Sequence, residues 1–180
     1  RAAKDLTLFI NVKMDDAPEA HADVVCQSIG EVGEAMARGH THICLSPMTH
    51  DWEAVSRRVQ TFVQELPNDM EKMVVLDEAP ELDEDAVLWF ARVAGNGNNT
   101  KTILMSQNPG DTSTSVRGQC LFCWVGPMSG NAKSVLESND RGAHYQEIKK
   151  EHEPYHWSVI TGPDPDDRDY YEPVPEDYVA

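Results

Sequence analysis

The chain of 180 residues carries 31 Asp plus Glu against 15 Lys plus Arg, a formal net charge of −16, with 40% apolar residues. That length and apolar content suffice for a real core in one domain, so the acidity is a property of the surface and disorder is excluded. No apolar run approaches the ~18 residues of a membrane span, no secretory signal or internal repeat is visible, and four scattered Cys suggest reduced, cytosolic thiols.

In chain order, Arg1-Ala2-Ala3-Lys4 reads as the end of a helix, and Thr7-Leu8-Phe9-Ile10-Asn11-Val12-Lys13 as an apolar strand ending in polar residues. Val25, Ile29, Val32 and Met36 recur at helical spacing within 23 to 38, and Trp52, Val55, Val59, Phe62, Val63 and Leu66 within 51 to 66; each is a stripe for packing on a sheet. Between them His42-Ile43-Cys44-Leu45-Ser46 is a short strand bounded by Gly39 and Pro47. Val74-Val75-Leu76 is a strand that delivers two adjacent carboxylates, Asp77 and Glu78, to its C-terminal end. Asp83 caps a helix running to about Ala94, and Gly95-Asn96-Gly97-Asn98-Asn99 ends it in a turn. Its run Ala86-Val87-Leu88-Trp89-Phe90-Ala91 is apolar on all sides and predicts a buried helix, in part against a neighbouring subunit.

Thr102-Ile103-Leu104-Met105 is the next strand, ending in Ser106-Gln107-Asn108-Pro109. Cys120 and Cys123 have C-x-x-C spacing inside an apolar strand running to Val125, where residues three apart point to opposite faces, so they read as two buried cysteines and not as a metal pair. Trp157-Ser158-Val159-Ile160 is a short strand, and residues 151 to 180 hold nine acidic residues, one Arg and five prolines, which predicts an extended, mobile tail beyond it. His152 and His156 are spaced as helical zinc ligands, but Pro154 between them argues against a helix. His40 and His42 share one strand face and, with His50, form a candidate but incomplete metal set.

Three buried-type strands separated by helical stretches predict an α/β fold, a mostly parallel sheet flanked by helices. Their polar tips at Lys13, Asp77-Glu78 and Gln107 should share one edge, where α/β proteins bind ligands. In a nucleotide hydrolase such a carboxylate pair divides its work: the first holds Mg²⁺ and the second orients or deprotonates water. The plainer alternative is a pair that caps a helix or is merely solvated.

The order strand-Asn-Val-Lys, strand-Asp-Glu-Ala, strand-Ser-Gln-x-Pro, then a segment with Arg117 and another strand, resembles the motor core of the HerA/FtsK-type P-loop (ASCE) ATPases over roughly residues 6 to 126. The resemblance implies a RecA-like core in residues 1 to 150 and an accessory strand with an acidic Pro-rich tail in 151 to 180. It implies ATP and Mg²⁺ as cofactors, with Asp77 holding Mg²⁺ through water and Glu78 polarising the attacking water. Gln107 would sense the terminal phosphate, Lys13 would contact nucleotide or DNA, and Arg117 would reach a neighbour's ATP as an arginine finger. Double-stranded DNA as partner and a homo-oligomeric, hexameric ring follow from the resemblance alone, since the basic clusters Arg57-Arg58 and Lys149-Lys150 are each two charges long.

The family's phosphate loop, G-x-x-x-x-G-K-[ST], occurs nowhere in the 180 residues. The expectation is therefore a segment whose first strand, loop and helix lie elsewhere, and which by itself binds ATP poorly or not at all. Viral genome packaging is the first reading, with conjugation or chromosome transport beside it. A non-catalytic scaffold of the same fold, or an unrelated α/β nucleotide-binding domain, are the alternatives. The surface charge points to a halophilic archaeon or its virus, and so to a cytoplasmic or virion-associated place.

Overall fold

A computed structural model describes residues 5–14, 16–93, 98–120, 122–125, 131–151 and 156–172. The chain forms two compact units, Arg1–Gln107 and Asn108–Ala180.

The first unit is built on five strands: β1 (Asp5–Ile10), β2 (Val24–Cys26), β3 (His42–Leu45), β4 (Glu71–Leu76) and β5 (Thr100–Leu104), all parallel, in the order β2-β3-β1-β4-β5. Helices α1 (Asp16–Ala20), α2 (Ile29–Ala37), α3 (Trp52–Glu65) and α4 (Glu84–Val93) connect them. The connections through α2, α3 and α4 all step the same way across the sheet, so right-handed crossovers lay these three helices on one face. Under them lie Leu6, Leu8, Ile10, Ile43, Leu45, Val74 and Leu76, met by Val32 and Met36 of α2, Val59 and Val63 of α3, and Val87 and Phe90 of α4, all buried. The Thr102 hydroxyl donates to the Phe90 carbonyl at 3.2 Å, fixing α4 over β5. The connection through α1 steps the opposite way and crosses the other face. There one row runs Val25, Cys44, Phe9, Val75, Ile103 across all five strands, and its outermost members remain 41% and 47% exposed.

Where sequence and structure differ, local chemistry gives the reason. Val25 does not extend the α2 stripe but lies in strand β2, because a capping box starts the helix later: the Ser28 hydroxyl accepts from Glu31 N, and the Glu31 carboxylate accepts from Gln27 N and the Ser28 hydroxyl. Helices α3 and α4 fall where their stripes predict, and Asp83 caps α4 by accepting from Ala86 N at 3.0 Å. Helix α4 buries Ala86, Val87, Phe90 and Ala91 but leaves Leu88 and Trp89 half-buried. The turn expected at Gly95-Asn96-Gly97 lies outside the described residues.

The second unit contains α5 (Thr114–Arg117), β6 (Phe122–Val125), α6 (Ala132–Glu137), α7 (Tyr145–Glu151), β7 (Trp157–Ile160) and β8 (Arg168–Tyr171). Its strands form an antiparallel sheet in the order β6-β7-β8. Ala132, Val135, Leu136, Ile148 and Ile160 make its core, against which Tyr145 packs. The strand expected from Cys120 begins only at Phe122: Cys120 sits in the turn after α5, its thiol directed at the Val116 carbonyl. The tail, expected to be extended after Ile160, instead turns back as β8. Asp167 closes that turn, its carbonyl accepting from Thr161 N and its carboxylate from Asp164 N. Residues 173–180, and with them Pro173 and Pro175, lie outside the described residues, as does His152.

Candidate active site

A parallel sheet delivers every strand's C-terminal end to one edge, and in the first unit that edge gathers Asn11 and Lys13 after β1, Asp77 and Glu78 after β4, and Ser106 and Gln107 after β5. Asp77 is 5% exposed, and its N–H donates to the Ile10 carbonyl, which ties the tip of β4 to β1. Glu78 takes a left-handed backbone, φ 45° and ψ 54°, uncommon for a residue with a side chain and found where a site constrains the chain. The next N–H, of Ala79, donates to the Met105 carbonyl at 2.8 Å, and the turn Ala79–Glu81 with Pro80 in its first positions leads to Asp83. Arg57 of α3 donates to Asp83 Oδ2 from both Nε (3.0 Å) and Nη2 (2.6 Å), anchoring the far end of this segment.

Lys13 reaches across from β1. Its Nζ lies 2.6 Å from Glu78 Oε2 and 3.6 Å from Asp77 Oδ1. The Glu78 carboxylate, and secondarily Asp77, hold the Lys13 ammonium above its ordinary pKa against the opposing cost of burial. Gln107 meets the same carboxylate through its backbone: its N–H donates to Glu78 Oε1 at 3.4 Å, while its side chain is exposed.

Lys13, Asp77, Glu78 and Gln107 therefore come together at one edge. Two further residues of the same strand-end motifs, given no role of their own in the sequence, lie beside them. Asn11 is fully buried at the tip of β1 and donates from Nδ2 to Glu19 Oε1, and the Ser106 hydroxyl is buried without a hydrogen-bond partner. The available signal was the same in each case, a short polar residue directly behind an apolar strand.

Arg117 belongs to the second unit. There its Nη1 donates to the carbonyls of Thr112 (2.9 Å) and Gly110 (3.4 Å) and its Nη2 to the Thr114 hydroxyl (3.2 Å), closing the turn before α5. Among the described residues no group of three or more His, Cys, Asp or Glu is arranged to hold a metal. His40 and His42 stand at the start of β3 and His50 beyond its end, so strand length separates them. For Mg²⁺, which needs few protein carboxylates when water and phosphate oxygens complete its octahedron, Asp77 supplies a nearly buried carboxylate, a fitting donor. Burial raises all three described thiols, Cys26, Cys44 and Cys120, with Cys44 pushed up to about 11, so none is a ready nucleophile.

No family profile matches the chain, and no curated protein does. Among solved structures it is similar to the genome packaging NTPase B204 from Sulfolobus turreted icosahedral virus 2. In that protein's complex with AMPPCP the TM-score is 0.63 at 12% identity, covering 95% of this chain and 84% of that one. In its complex with sulfate the score is 0.64 at 13% identity, covering 95% and 82%. B204 described as the DNA-packaging ATPase from Sulfolobus Turreted Icosahedral Virus gives 0.54 at 12% identity, covering 97% and 100%. At such identities the likeness is one of fold, and with the parallel five-stranded sheet it shows that the chain has the α/β architecture of a RecA-like P-loop NTPase core.

Proposed function

We propose that the chain is the C-terminal part of an ATP-driven DNA translocase motor, with genome packaging of a haloarchaeal virus as the preferred setting. The observation that carries this reading is the Asp77-Glu78 pair at the C-terminal edge of a parallel strand, with Lys13 and Gln107 converging on it from the strands on either side. Asp77 would hold Mg²⁺, which when bound neutralises developing charge on the phosphates. Glu78 would accept a proton from the attacking water, Lys13 would pair with phosphate oxygens, and Gln107 would report on the terminal phosphate. In a ring, hexameric by resemblance, Arg117 would act on a neighbour's ATP after giving up its bonds to Gly110, Thr112 and Thr114. DNA as partner is supported by the likeness to B204, a DNA-packaging ATPase, while the chain's own basic clusters, Arg57-Arg58 and Lys149-Lys150, are each two charges long.

The reading requires a phosphate loop from outside these residues. β5 ends the sheet among the described residues and leaves Ile103 and Met105 exposed, so a strand bearing that loop would pair there and bring it beside Ser106 and Gln107. The lack of a G-x-x-x-x-G-K-[ST] sequence within the chain supports a second reading, a non-catalytic scaffold. The reading frame encoding the chain decides whether the loop exists. If it does, Glu78→Gln in the full-length protein should leave nucleotide binding intact and lower hydrolysis by ~10²-fold or more, the scale for losing a general base; hydrolysis at the unmodified rate would favour the scaffold.

A further inference from the structure

In the second unit the strand order β6-β7-β8 leaves β8 at the border of its sheet among the described residues. The hydrogen-bond phase decides which of its backbone groups are taken. Thr161 N donates to the Asp167 carbonyl directly opposite, and bonded and non-bonded pairs alternate along an antiparallel ladder. Asp169 and Tyr171 therefore exchange bonds with Val159 and Trp157, whereas Arg168 and Tyr170 turn their N–H and C=O groups away from β7. Such a border is a template for another strand unless Lys, Pro or a bulge blunts it. Arg168–Tyr171 contains neither residue and pairs with β7 without interruption. Arg168 is half-buried, and Asp169, Tyr170, Tyr171 and Glu172 are exposed.

The order of these side chains is self-complementary. Laid antiparallel on a copy of itself with Tyr170 opposite the partner's Tyr170, the strand sets Arg168 opposite the partner's Glu172 and Asp169 opposite the partner's Tyr171. The bonds of that register run through Arg168, Tyr170 and Glu172, the parity whose backbone groups point outward. Each charged residue meets an opposite charge or a phenol that can donate to it, and such cross-strand pairs are what stabilise a sheet. An axis moved to Asp169 would instead oppose two like charges. Within its own chain Arg168 Nη1 donates to Ser158 Oγ at 3.1 Å, and the Tyr170 hydroxyl meets His156 Nδ1, which orders both side chains along the border. A guanidinium has five N–H donors, so the Ser158 bond does not preclude a carboxylate.

We propose that β8 is a docking edge for a second copy of this chain: two β8 strands pair antiparallel about a two-fold axis at Tyr170 and join two three-stranded sheets into one. A two-fold contact closes on two copies, so it is distinct from the head-to-tail contact of a ring. It uses no residue of the Lys13–Glu78 edge, and it stands or falls apart from the ATPase reading.

Cysteine cross-linking in the full-length protein reads the register. Cα atoms of a bonded antiparallel pair lie ~5.5 Å apart, inside the ~4.4–6.8 Å range of a disulfide. Tyr170→Cys should thus give a covalent dimer on a non-reducing gel after mild oxidation, where the unmodified protein gives none. Asp169→Cys should give none, because its two copies sit two residues out of register, beyond the ~7 Å limit. Cross-linking through Asp169→Cys as readily as through Tyr170→Cys overturns the axis, and cross-linking through neither overturns the contact.

Charge reversal in the Tyr170→Cys background completes the test, in ~0.15 M KCl, whose ~8 Å screening length damps the repulsion between two acidic chains more than an ion pair in contact. Arg168→Glu and Glu172→Arg should each lower the dimer yield several-fold, and the protein carrying both should recover it. Yields indifferent to the single reversals, or a double variant that stays as low as they are, overturn the pairing of Arg168 with the partner's Glu172 and with it the proposed edge.

Discussion

Replacing Asp83 tests the clip that holds the carboxylate segment against α3. Asp83 is 9% exposed; its Oδ1 caps α4 through Ala86 N, its Oδ2 takes both Arg57 donors, and its own N–H donates to the Ser56 hydroxyl. Asp83→Ala removes the cap, about 1 kcal/mol, and the ion pair, which is discounted to ~0.5–1 kcal/mol because the Arg57 side chain is 63% exposed and screened. The backbone bond to Ser56 survives, so the loss should be about 2 kcal/mol. Asp83→Asn keeps a capping oxygen and loses only the charge, and should cost less than half as much. The assay is urea unfolding read by the fluorescence of Trp52 and Trp89 in a Trp124→Phe, Trp157→Phe background, so that only the first unit reports. With a slope of ~1–3 kcal/mol/M, Asp83→Ala should move the midpoint by ~1 M.

The pH dependence has a definite sign. The paired guanidinium of Arg57 holds the Asp83 carboxyl below its ordinary range, so its contribution is complete above the unfolded value of ~3.9 and is lost as pH falls through the lower folded value. The gap between wild type and Asp83→Asn should therefore close in acid. Equal losses for the Ala and Asn variants would refute the cap, and a shift below ~0.5 kcal/mol for both would refute the clip altogether.

Lys72 is 2% exposed on the helix-covered face of β4, with its ammonium on the Pro67 carbonyl at 2.8 Å, and burial lowers its pKa. The unfolded chain thus holds the proton to higher pH, so wild-type stability should rise with pH as the solution approaches the unfolded value of ~10.4, and this slope should vanish in Lys72→Met. If repulsion among surface carboxylates opposes folding, molar KCl should raise the melting temperature, and a curve flat from dilute buffer to molar salt would argue against a halophilic origin. In the full-length protein, Arg117→Ala should slow turnover, and adding subunits intact at Arg117 but carrying Glu78→Gln should restore part of it; failure of that mixing experiment alone would leave Arg117 as the closure of its own turn.

The apolar runs by themselves determined β1, β3, β4, β5 and β7 and the stripes of α3 and α4, because period and end signals are local properties of the chain: Asp83 ahead of an apolar run is a cap wherever it occurs. The polar residues behind β1, β4 and β5 were legible for the same reason. The sequence could not show which strand lies beside which. Placing β4 between β1 and β5 brings the Lys13 ammonium onto Glu78, thirteen residues into the chain meeting seventy-eight, and no local pattern encodes a contact over that separation. Strand β8 was hidden likewise. Its Arg168-Asp169-Tyr170-Tyr171 is polar and exposed, so nothing apolar announces it, and only pairing with β7 and the Asp167 turn make it a strand. Arg117 shows the converse, since its motif position suggested a group reaching outward while the tertiary structure gives its guanidinium the carbonyls of its own loop, which a long donor-rich side chain finds at little entropic cost once the turn is formed.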